Sequence, residues 1–166
     1  MSKNNKLDIL VVGGGMYVTG NRTNSDGMIM PALLEARRQG LIGRLGLVTT
    51  SVDSSNSNKD RIHKLSQRMG VEGQCDFFPK KGNNEKAYLD AAEQFKPDAV
   101  IVSVPDHLHA SISISLIEKR IHCLVVKPMA TTLVEADAMT EAAKKAGVLA
   151  QVEFHKRLDE SNLLLR

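Results

Sequence analysis

The sequence predicts a single α/β domain in which helices cover both faces of a doubly wound parallel sheet of about six strands. Its 166 residues suffice for one hydrophobic core but not for a second full domain. Short apolar segments alternate along the chain with stretches of helical spacing, which is the pattern of strands joined by helical crossovers. Several of these segments are apolar throughout, as strands are when both faces of a parallel sheet are covered.

The predicted strands are residues 7–13, 45–51, 75–78, 99–104, 122–126 and 148–154. Residues 111–116 alternate as a strand does, but Leu108, Ile112 and Leu116 share one helix face. Because a crossover is needed between the fourth and fifth strands, we predict a helix there. The Ser- and Asn-rich residues 51–58 are predicted to form a polar loop after the second strand.

The helix before the sixth strand has the clearest signals. Thr132 and Glu135 have the spacing of a capping box, in which each side chain satisfies a backbone N–H at the start of a helix. Met139 and Ala143 follow at helical intervals, and Gly147 is typical of a helix end. These signals predict a helix between residue 132 and residue 147.

Composition and charge exclude several classes of protein. The chain is 42% hydrophobic and 25% charged, without an apolar run near the roughly 18 residues that span a membrane. The net charge of +3 is not concentrated in a basic run, and the 4% aromatic content offers no stacking platform for nucleic acid. The polar residues 1–6 lead directly into the first strand, which favours a cytoplasmic protein over a secreted one.

Cysteine and histidine spacing does not indicate a metal site. Cys75 and Cys123 lie far apart without metal-ligand spacing, so we expect buried free thiols. His107 and His109 have His-x-His spacing, but no further ligand is evident nearby, and both can simply lie at a helix start. We therefore predict no metal.

A glycine turn follows the first strand, in the run Gly13-Gly14-Gly15-Met16. Glycine at this place lets backbone N–H groups approach a pyrophosphate without a Cβ in the way. Gly13 and Gly15 match a Rossmann dinucleotide fingerprint, whereas Val18 occupies the position of its third glycine. The alternative is an ordinary turn at the exit of a strand.

The next helix is predicted to begin only near Asp26 or Gly27, so about ten residues intrude between the turn and the helix. The second strand ends with Thr50 and Ser51, where a dinucleotide-binding domain normally has an acid that reads the adenosine ribose. Asp53 lies further on and Arg61 follows, so the residues leave NAD and NADP equally open.

Two other segments place polar groups at the carboxyl edge of the predicted sheet, where ligands bind in open α/β folds. The fourth strand leads into Val104-Pro105-Asp106-His107-Leu108-His109, and the fifth into Lys127-Pro128. A lysine there can donate to a substrate hydroxyl and take part in proton transfer. It can equally be an ordinary surface lysine.

Taken in this order, the segments resemble the N-terminal Rossmann domain of the Gfo/Idh/MocA oxidoreductases. Pro105-Asp106-x-x-His109 resembles the family's Pro-Asn-x-x-His, and Val126-Lys127-Pro128 resembles its Glu-Lys-Pro. Residues 154–159 resemble the Asn-Arg-Arg-Phe segment that leads out of the domain. Two motif positions differ, because Val126 replaces an acid and Asp106 replaces an amide.

The resemblance implies an NAD(P)-dependent oxidoreductase whose whole protein transfers a hydride to or from a sugar, polyol or related hydroxy compound. It implies Lys127 and, more weakly, His155 as catalytic residues, and a Lys127–Pro128 bond that is cis. The candidate cofactor-binding residues are Gly13, Gly14, Gly15, Met16, Thr50, Ser51, Val104, Pro105, Asp106, His109 and Lys127.

The family joins this domain to a larger substrate domain. Residues 1–154 are accordingly expected to bind the dinucleotide, and residues 155–166 to begin the connection to a substrate domain absent from this chain. The chain alone is not expected to turn over substrate, and the whole protein is expected to be a homo-oligomer. Two alternatives stay open: a non-catalytic module that senses or binds a dinucleotide, and a flavodoxin-like or other α/β domain that binds none.

Overall fold

Six strands form one fully parallel sheet in the order β3-β2-β1-β4-β5-β6. The computed structural model of the protein describes residues 6–164, and of Leu158 it describes the backbone alone. Residues 1–5 of the predicted polar start, and residues 165 and 166, lie outside this range. The strands are β1 (Leu7–Val12), β2 (Ile42–Val48), β3 (Asp76–Phe78), β4 (Ala99–Val102), β5 (His122–Val126) and β6 (Ala150–Glu153).

The helices within residues 6–164 are α1 (Met16–Thr19), α2 (Ile29–Arg38), α3 (Val52–Met69), α4 (Ala87–Phe95), α5 (His109–Ile117), α6 (Leu133–Ala146) and α7 (Glu160–Leu163). Helix α5 confirms the crossover predicted from the position of its segment. Helix α6 begins at the predicted capping box of Thr132 and Glu135 and ends at Gly147, whose φ is +68°.

Helices cover both faces of the sheet. Successive side chains of a strand point to opposite sides, so a central strand such as β1 contributes to two separate clusters. In β1, Leu10 and Val12 belong to one buried cluster, which includes residues of α4, α5 and α6. Ile9 and Val11 belong to a second cluster, which includes residues of α2 and α3. The predicted doubly wound α/β class is therefore confirmed.

The strand order places the topological switch point between β1 and β4. From β1 the chain continues to β2 and β3 on one side, whereas β4, β5 and β6 follow on the other. Crossovers that leave in opposite directions open a crevice at the carboxyl ends of the two central strands. Gly13 follows β1 into this crevice, and Ser103 follows β4.

The prediction of a polar loop at residues 51–58 is wrong, because this segment forms the first two turns of α3. Ser51 caps the helix by accepting from the backbone N–H of Ser54 at 3.2 Å. Ser55 is buried and donates to the carbonyl of Phe78 at 2.6 Å. Small polar residues favour loops only when their side chains lack specific partners, and here tertiary contacts supply them.

Several boundaries also differ from the prediction, and two of these differences lie near the glycine turn and the end of β2. Strand β2 spans residues 42–48 rather than 45–51, because Thr49 and Thr50 already turn toward the helix cap at Ser51. The chain after the glycine turn is not wholly irregular, since α1 begins immediately at Met16 and ends at Gly20, whose φ is +67°. The insertion is therefore one helical turn followed by a loop.

Candidate functional site

A cleft of about 1160 Å³ opens at the carboxyl ends of β1 and β4. The glycine turn contributes residues 13–15, and the segment after β4 contributes residues 103–105. Thr49 and Thr50 line it at the end of β2, and residues 21–23 line it from the insertion. Ligand pockets typically enclose about 300–1,000 Å³, so this open cleft has room for an extended ligand such as a dinucleotide.

Glycine occupies each of the three positions of the turn for a different structural reason. Gly13 has a φ of +109°, and a Cβ there would lie 1.9 Å from the carbonyl oxygen of Ser103. A Cβ on Gly14 would lie 2.5 Å from Nδ2 of Asn58. A Cβ on Gly15 would meet nothing within 4 Å. The first two glycines thus permit close packing, whereas Gly15 keeps the cleft floor free of side chain.

Helix α1 begins at this floor. Gly15 is its N-cap, and the first backbone N–H groups of a helix have no partner within the helix. Val18, at the position of the third fingerprint glycine, is fully buried. Close packing is achieved there by Gly27, whose Cβ would lie 2.7 Å from the Val18 backbone. The small residue needed for close approach is therefore on the loop rather than on the helix.

The residues after β2 differ in their positions and contacts. Thr50 is exposed and lines the cleft, whereas Ser51 caps α3 and lies outside the lining. Asp53 is exposed in the first turn of α3. Arg61 points instead toward α1 and the insertion, where it donates to the carbonyl of Thr19 at 2.9 Å. It braces the chain there and does not line the cleft.

The segment after β4 is divided between the cleft and the core. Val104 and Pro105 line the cleft, and Asp106 does not. His109 is fully buried, with its ring nitrogens 2.6 Å from the carbonyl oxygen of Pro128 and 2.9 Å from that of Val104. In this structure His109 joins the two loops and does not line the cleft.

Lys127 follows β5 as an exposed residue outside the cleft lining. Its bond to Pro128 is cis, as the resemblance implied. Position 126, where the motif that this segment resembles has an acid, pairs in the sheet with Glu153 of β6. A carboxylate therefore lies on the neighbouring strand at the same register as the apolar Val126.

Glu153 forms a polar cluster with Tyr17 and His155. The Tyr17 hydroxyl donates to Oε2 of Glu153 at 3.0 Å, and Nδ1 of His155 lies 3.3 Å from both that hydroxyl and Oε1 of Glu153. Burial, followed by the neighbouring Glu153, raises the pKa of Tyr17, so its hydroxyl stays protonated as a donor. The cluster links α1 to the segment that leaves β6.

Several residues that line the cleft were not predicted from the sequence. The lining residues outside the predicted set include Tyr17, Asn21, Arg22, Thr23, Ser54, Lys86, Tyr88 and His107. Tyr17 and Arg22 lie in the predicted insertion, and their nearness to the glycine turn was the available signal. Lys86 and Tyr88 come from the start of α4, where the sequence has no such signal.

No group of three His, Cys, Asp or Glu side chains suited to a metal ion occurs among residues 6–164. Both cysteines are free thiols. Cys123 is buried, as expected, while Cys75 is partly exposed as a residue, although its thiol is desolvated. Over the same residues, none of the helices has both the length and the apolar character needed to cross a membrane.

A family model described as an oxidoreductase family with an NAD-binding Rossmann fold matches residues 7–154. The chain belongs to this Gfo/Idh/MocA family. The resemblance drawn from the motifs after β4 and β5 is thereby confirmed, as is the expectation of a nicotinamide dinucleotide as the cofactor. As a Gfo/Idh/MocA domain, the chain has its glycine turn at the place where the Rossmann fold binds a pyrophosphate.

Characterised relatives match part of this Gfo/Idh/MocA chain. The myo-inositol 2-dehydrogenase of Thermotoga maritima is 28% identical over 110 residues, which are 64% of this chain and 29% of the relative. The scyllo-inositol 2-dehydrogenase (NAD(+)) of Bacillus subtilis is 37% identical over 101 residues, or 61% and 27% of the two chains. The chain thus spans under a third of these relatives.

Solved structures show the same fold at low sequence identity. The WlbA dehydrogenase from Bordetella pertussis, in complex with NADH and UDP-GlcNAcA, superposes with a TM-score of 0.65 at 20% identity. That match covers 96% of this chain and 40% of the other. An aldose-aldose oxidoreductase from Caulobacter crescentus gives a TM-score of 0.64 at 22% identity, covering 95% and 40%.

Proposed function

We propose that this chain supplies the nicotinamide-dinucleotide site of an oxidoreductase that acts on a sugar, polyol or related hydroxy compound. The observation that carries the proposal is the cleft at the switch point, whose floor at Gly15 has no atom within 4 Å of where a Cβ would stand. A side chain there would fill the space that a pyrophosphate needs, so the turn fits the group. The inositol dehydrogenases among the relatives support the substrate class.

The cofactor-binding roles follow from the position of each residue in the cleft. We assign the pyrophosphate to the backbone of Gly14, Gly15 and Met16, and the adenosine ribose to Thr50. Val104 and Pro105 are assigned to the nicotinamide side. The remaining predicted residues act through their neighbours: Gly13 shapes the turn, Ser51 caps α3, and Asp106 and His109 position the segment after β4.

The proposed chemistry divides between cofactor and protein. When bound, the nicotinamide supplies or accepts the hydride. Lys127 is proposed to contact the cofactor and to hydrogen-bond the substrate hydroxyl through Nζ, where it takes up or returns the hydroxyl proton. His155, held by Glu153 and Tyr17, is proposed as a second substrate contact.

We assign residues 1–154 to the dinucleotide-binding domain. The whole protein is proposed to have a substrate domain after it and to be a homo-oligomer. Residues 155–166 would begin the connection between the two. Because the groups that contact the rest of the substrate would lie in that second domain, the chain alone is proposed to bind the cofactor without turnover.

Calorimetric titration of the chain with NADH and with NADPH tests the cofactor site. We expect saturable 1:1 binding of at least one of them, which Gly15→Val abolishes without lowering the melting temperature. If the folded chain binds neither, the dinucleotide site is rejected in favour of a plain α/β domain.

Steady-state kinetics of the whole protein test the chemistry. Lys127→Ala is expected to lower kcat/KM on a sugar or polyol by about 10²–10⁴-fold, the usual contribution of a general acid–base group. Lys145→Ala, on an exposed lysine near the end of α6, is the matched control and is expected to have no effect. Dinucleotide binding without any turnover would favour the non-catalytic sensing module instead.

A further inference from the structure

The two ends of the loop between α1 and α2, residues 20–28, lie close together. The backbone N–H of Met28 donates to the carbonyl of Tyr17 at 2.7 Å. Gly20 and Gly27 both have positive φ, and a Cβ on Gly27 would lie 2.7 Å from the nitrogen of Gly20. The insertion is therefore a compact loop whose ends meet beside α1.

Arg61 of α3 braces this loop from outside. Its Nε donates to the carbonyl of Thr19 at 2.9 Å, and its Nη2 to that of Gly20 at 2.5 Å. The same nitrogen lies 3.2 Å from the carbonyl oxygens of Thr23 and Ser25. Because the guanidinium satisfies several loop carbonyls at once, the loop backbone is fixed by the protein itself.

The braced loop places Arg22 beside the glycine turn. Asn21 donates from Nδ2 to the carbonyl of Gly14 at 3.4 Å, which fixes the neighbouring residue at the edge of the cleft floor. Arg22 lines the cleft, is exposed and has a φ of +66°. Among residues 6–164 its guanidinium has neither a salt bridge nor a hydrogen bond, so its five donors are available to a ligand.

The other charged residues of the lining lie elsewhere. Glu85 and Lys86 are adjacent in the chain at the start of α4. They lie beside Thr50, because the backbone N–H of Asn84 donates to the carbonyl of Thr50 at 2.8 Å. Of the described lining residues, Arg22 therefore supplies the permanent positive charge next to the glycine turn.

We infer that Arg22 is a cofactor-clamping residue, which pairs with the pyrophosphate of the dinucleotide as that group lies over the glycine turn. The inference rests on the proposed cofactor site and adds a residue that the glycine fingerprint does not contain. A planar guanidinium donates to two phosphate oxygens at once, and a braced loop reduces the conformational entropy that is lost on binding. The insertion that interrupts the fingerprint thereby contributes to the same ligand.

Titration calorimetry of the chain tests the inference with NADH, NADPH and ADP-ribose as probes. Arg22→Asn is the variant of choice, because asparagine tolerates a positive φ better than most residues. Its Kd is expected to rise about tenfold to a hundredfold for every probe that the wild type binds, since each contains the pyrophosphate. Arg22→Lys, which keeps the charge without the fork, is expected to have an intermediate Kd.

Arg120→Asn is the matched control. Arg120 is exposed and has a φ of +62°, but it lies before β5 at the opposite edge of the sheet. Its variant is expected to bind within twofold of the wild type, and melting curves of both asparagine variants verify that they are folded.

The outcomes separate this inference from the proposed function. If the wild type binds none of the three probes, the cofactor site itself is rejected. If the wild type binds and the folded Arg22→Asn and Arg22→Lys variants bind equally well, the clamp alone is rejected. A loss confined to NADPH would assign Arg22 to the 2′-phosphate and would overturn its pairing with the pyrophosphate.

Discussion

Alanine substitutions at Gly13 and Gly15 are expected to separate folding from cofactor binding within one turn. At Gly13, the φ of +109° and the 1.9 Å approach of a Cβ to the Ser103 carbonyl both oppose a side chain. A strained backbone conformation costs about 1–3 kcal/mol, and moving the carbonyl away adds to that. We expect a loss of about 3 kcal/mol, which lowers Tm by about 6–12 °C in a domain of this size.

At Gly15 the expected result is the reverse. Its φ of −81° suits any residue, and a Cβ would meet no atom within 4 Å. Alanine there is expected to leave Tm unchanged or to raise it by up to about 4 °C, since a less flexible unfolded chain gives a gain of up to about 1 kcal/mol. The added methyl occupies the cleft floor, so the Kd for NADH is expected to rise about tenfold, equivalent to roughly 1.4 kcal/mol.

Thermal melts followed by circular dichroism, together with NADH titrations, measure both effects. Gly147→Ala is the control for Gly13, because Gly147 has a φ of +68° but open space around its Cβ. If Gly13→Ala destabilises no more than Gly147→Ala, the tight contact with Ser103 is refuted. If Gly15→Ala binds NADH like the wild type, the glycine turn is not the floor of the cofactor site.

Three further predictions concern the surroundings of the site. Arg61→Ala removes the donor to the loop carbonyls and is expected to cost about 1–3 kcal/mol and to expose residues 20–28 to limited proteolysis. Asn58→Ala, which removes a buried partner of Thr19 at 2.5 Å, is expected to cost a similar amount in urea unfolding. Burial raises the pKa of Cys75 to about 12 and of Cys123 to about 11, above the ordinary 9.0. Unfolded thiols therefore lose their protons first, so stability should fall as pH rises above about 9, and replacing both thiols by alanine should reduce that fall in urea midpoints.

Much of the fold followed from periodicity, because a parallel sheet needs strands that are apolar on both faces and crossovers between them. The segment that became α5 alternates like a strand, and the need for a crossover correctly outweighed that local pattern. The capping box of Thr132 identified the start of α6, since capping depends on local sequence alone.

The errors arose where tertiary contacts decide the structure. Ser55 and Asn58 are buried in α3 by partners on β3 and α1, which no local pattern reveals. Arg61 likewise follows the second strand in sequence, but its guanidinium donates to the carbonyl of Thr19 at the end of α1. Local polarity predicted a loop, and long-range hydrogen bonds determined a helix.

The glycine turn and the strand ends of the candidate site were predicted more completely than the loop at residues 21–23 and the start of α4, which also line the cleft. The glycine turn, Thr50, Val104 and Pro105 all line the cleft as expected from their positions at strand ends. Arg22 was not predicted, because its approach to the turn depends on a loop closure that spacing does not encode. The insertion was interpreted as a departure from the fingerprint, whereas the structure makes it part of the cleft wall.

The central claim is that a nicotinamide dinucleotide binds over the glycine turn, and an amide chemical-shift titration of the ¹⁵N-labelled chain with NADH tests it most directly. We predict saturable shifts of the Gly14, Gly15 and Met16 amides, while the amides of Gly70 and Gly147, which end helices away from the cleft, stay unchanged. NADH binding that leaves the glycine-turn amides unshifted would contradict it, as would a folded chain that shows no shifts at saturating NADH.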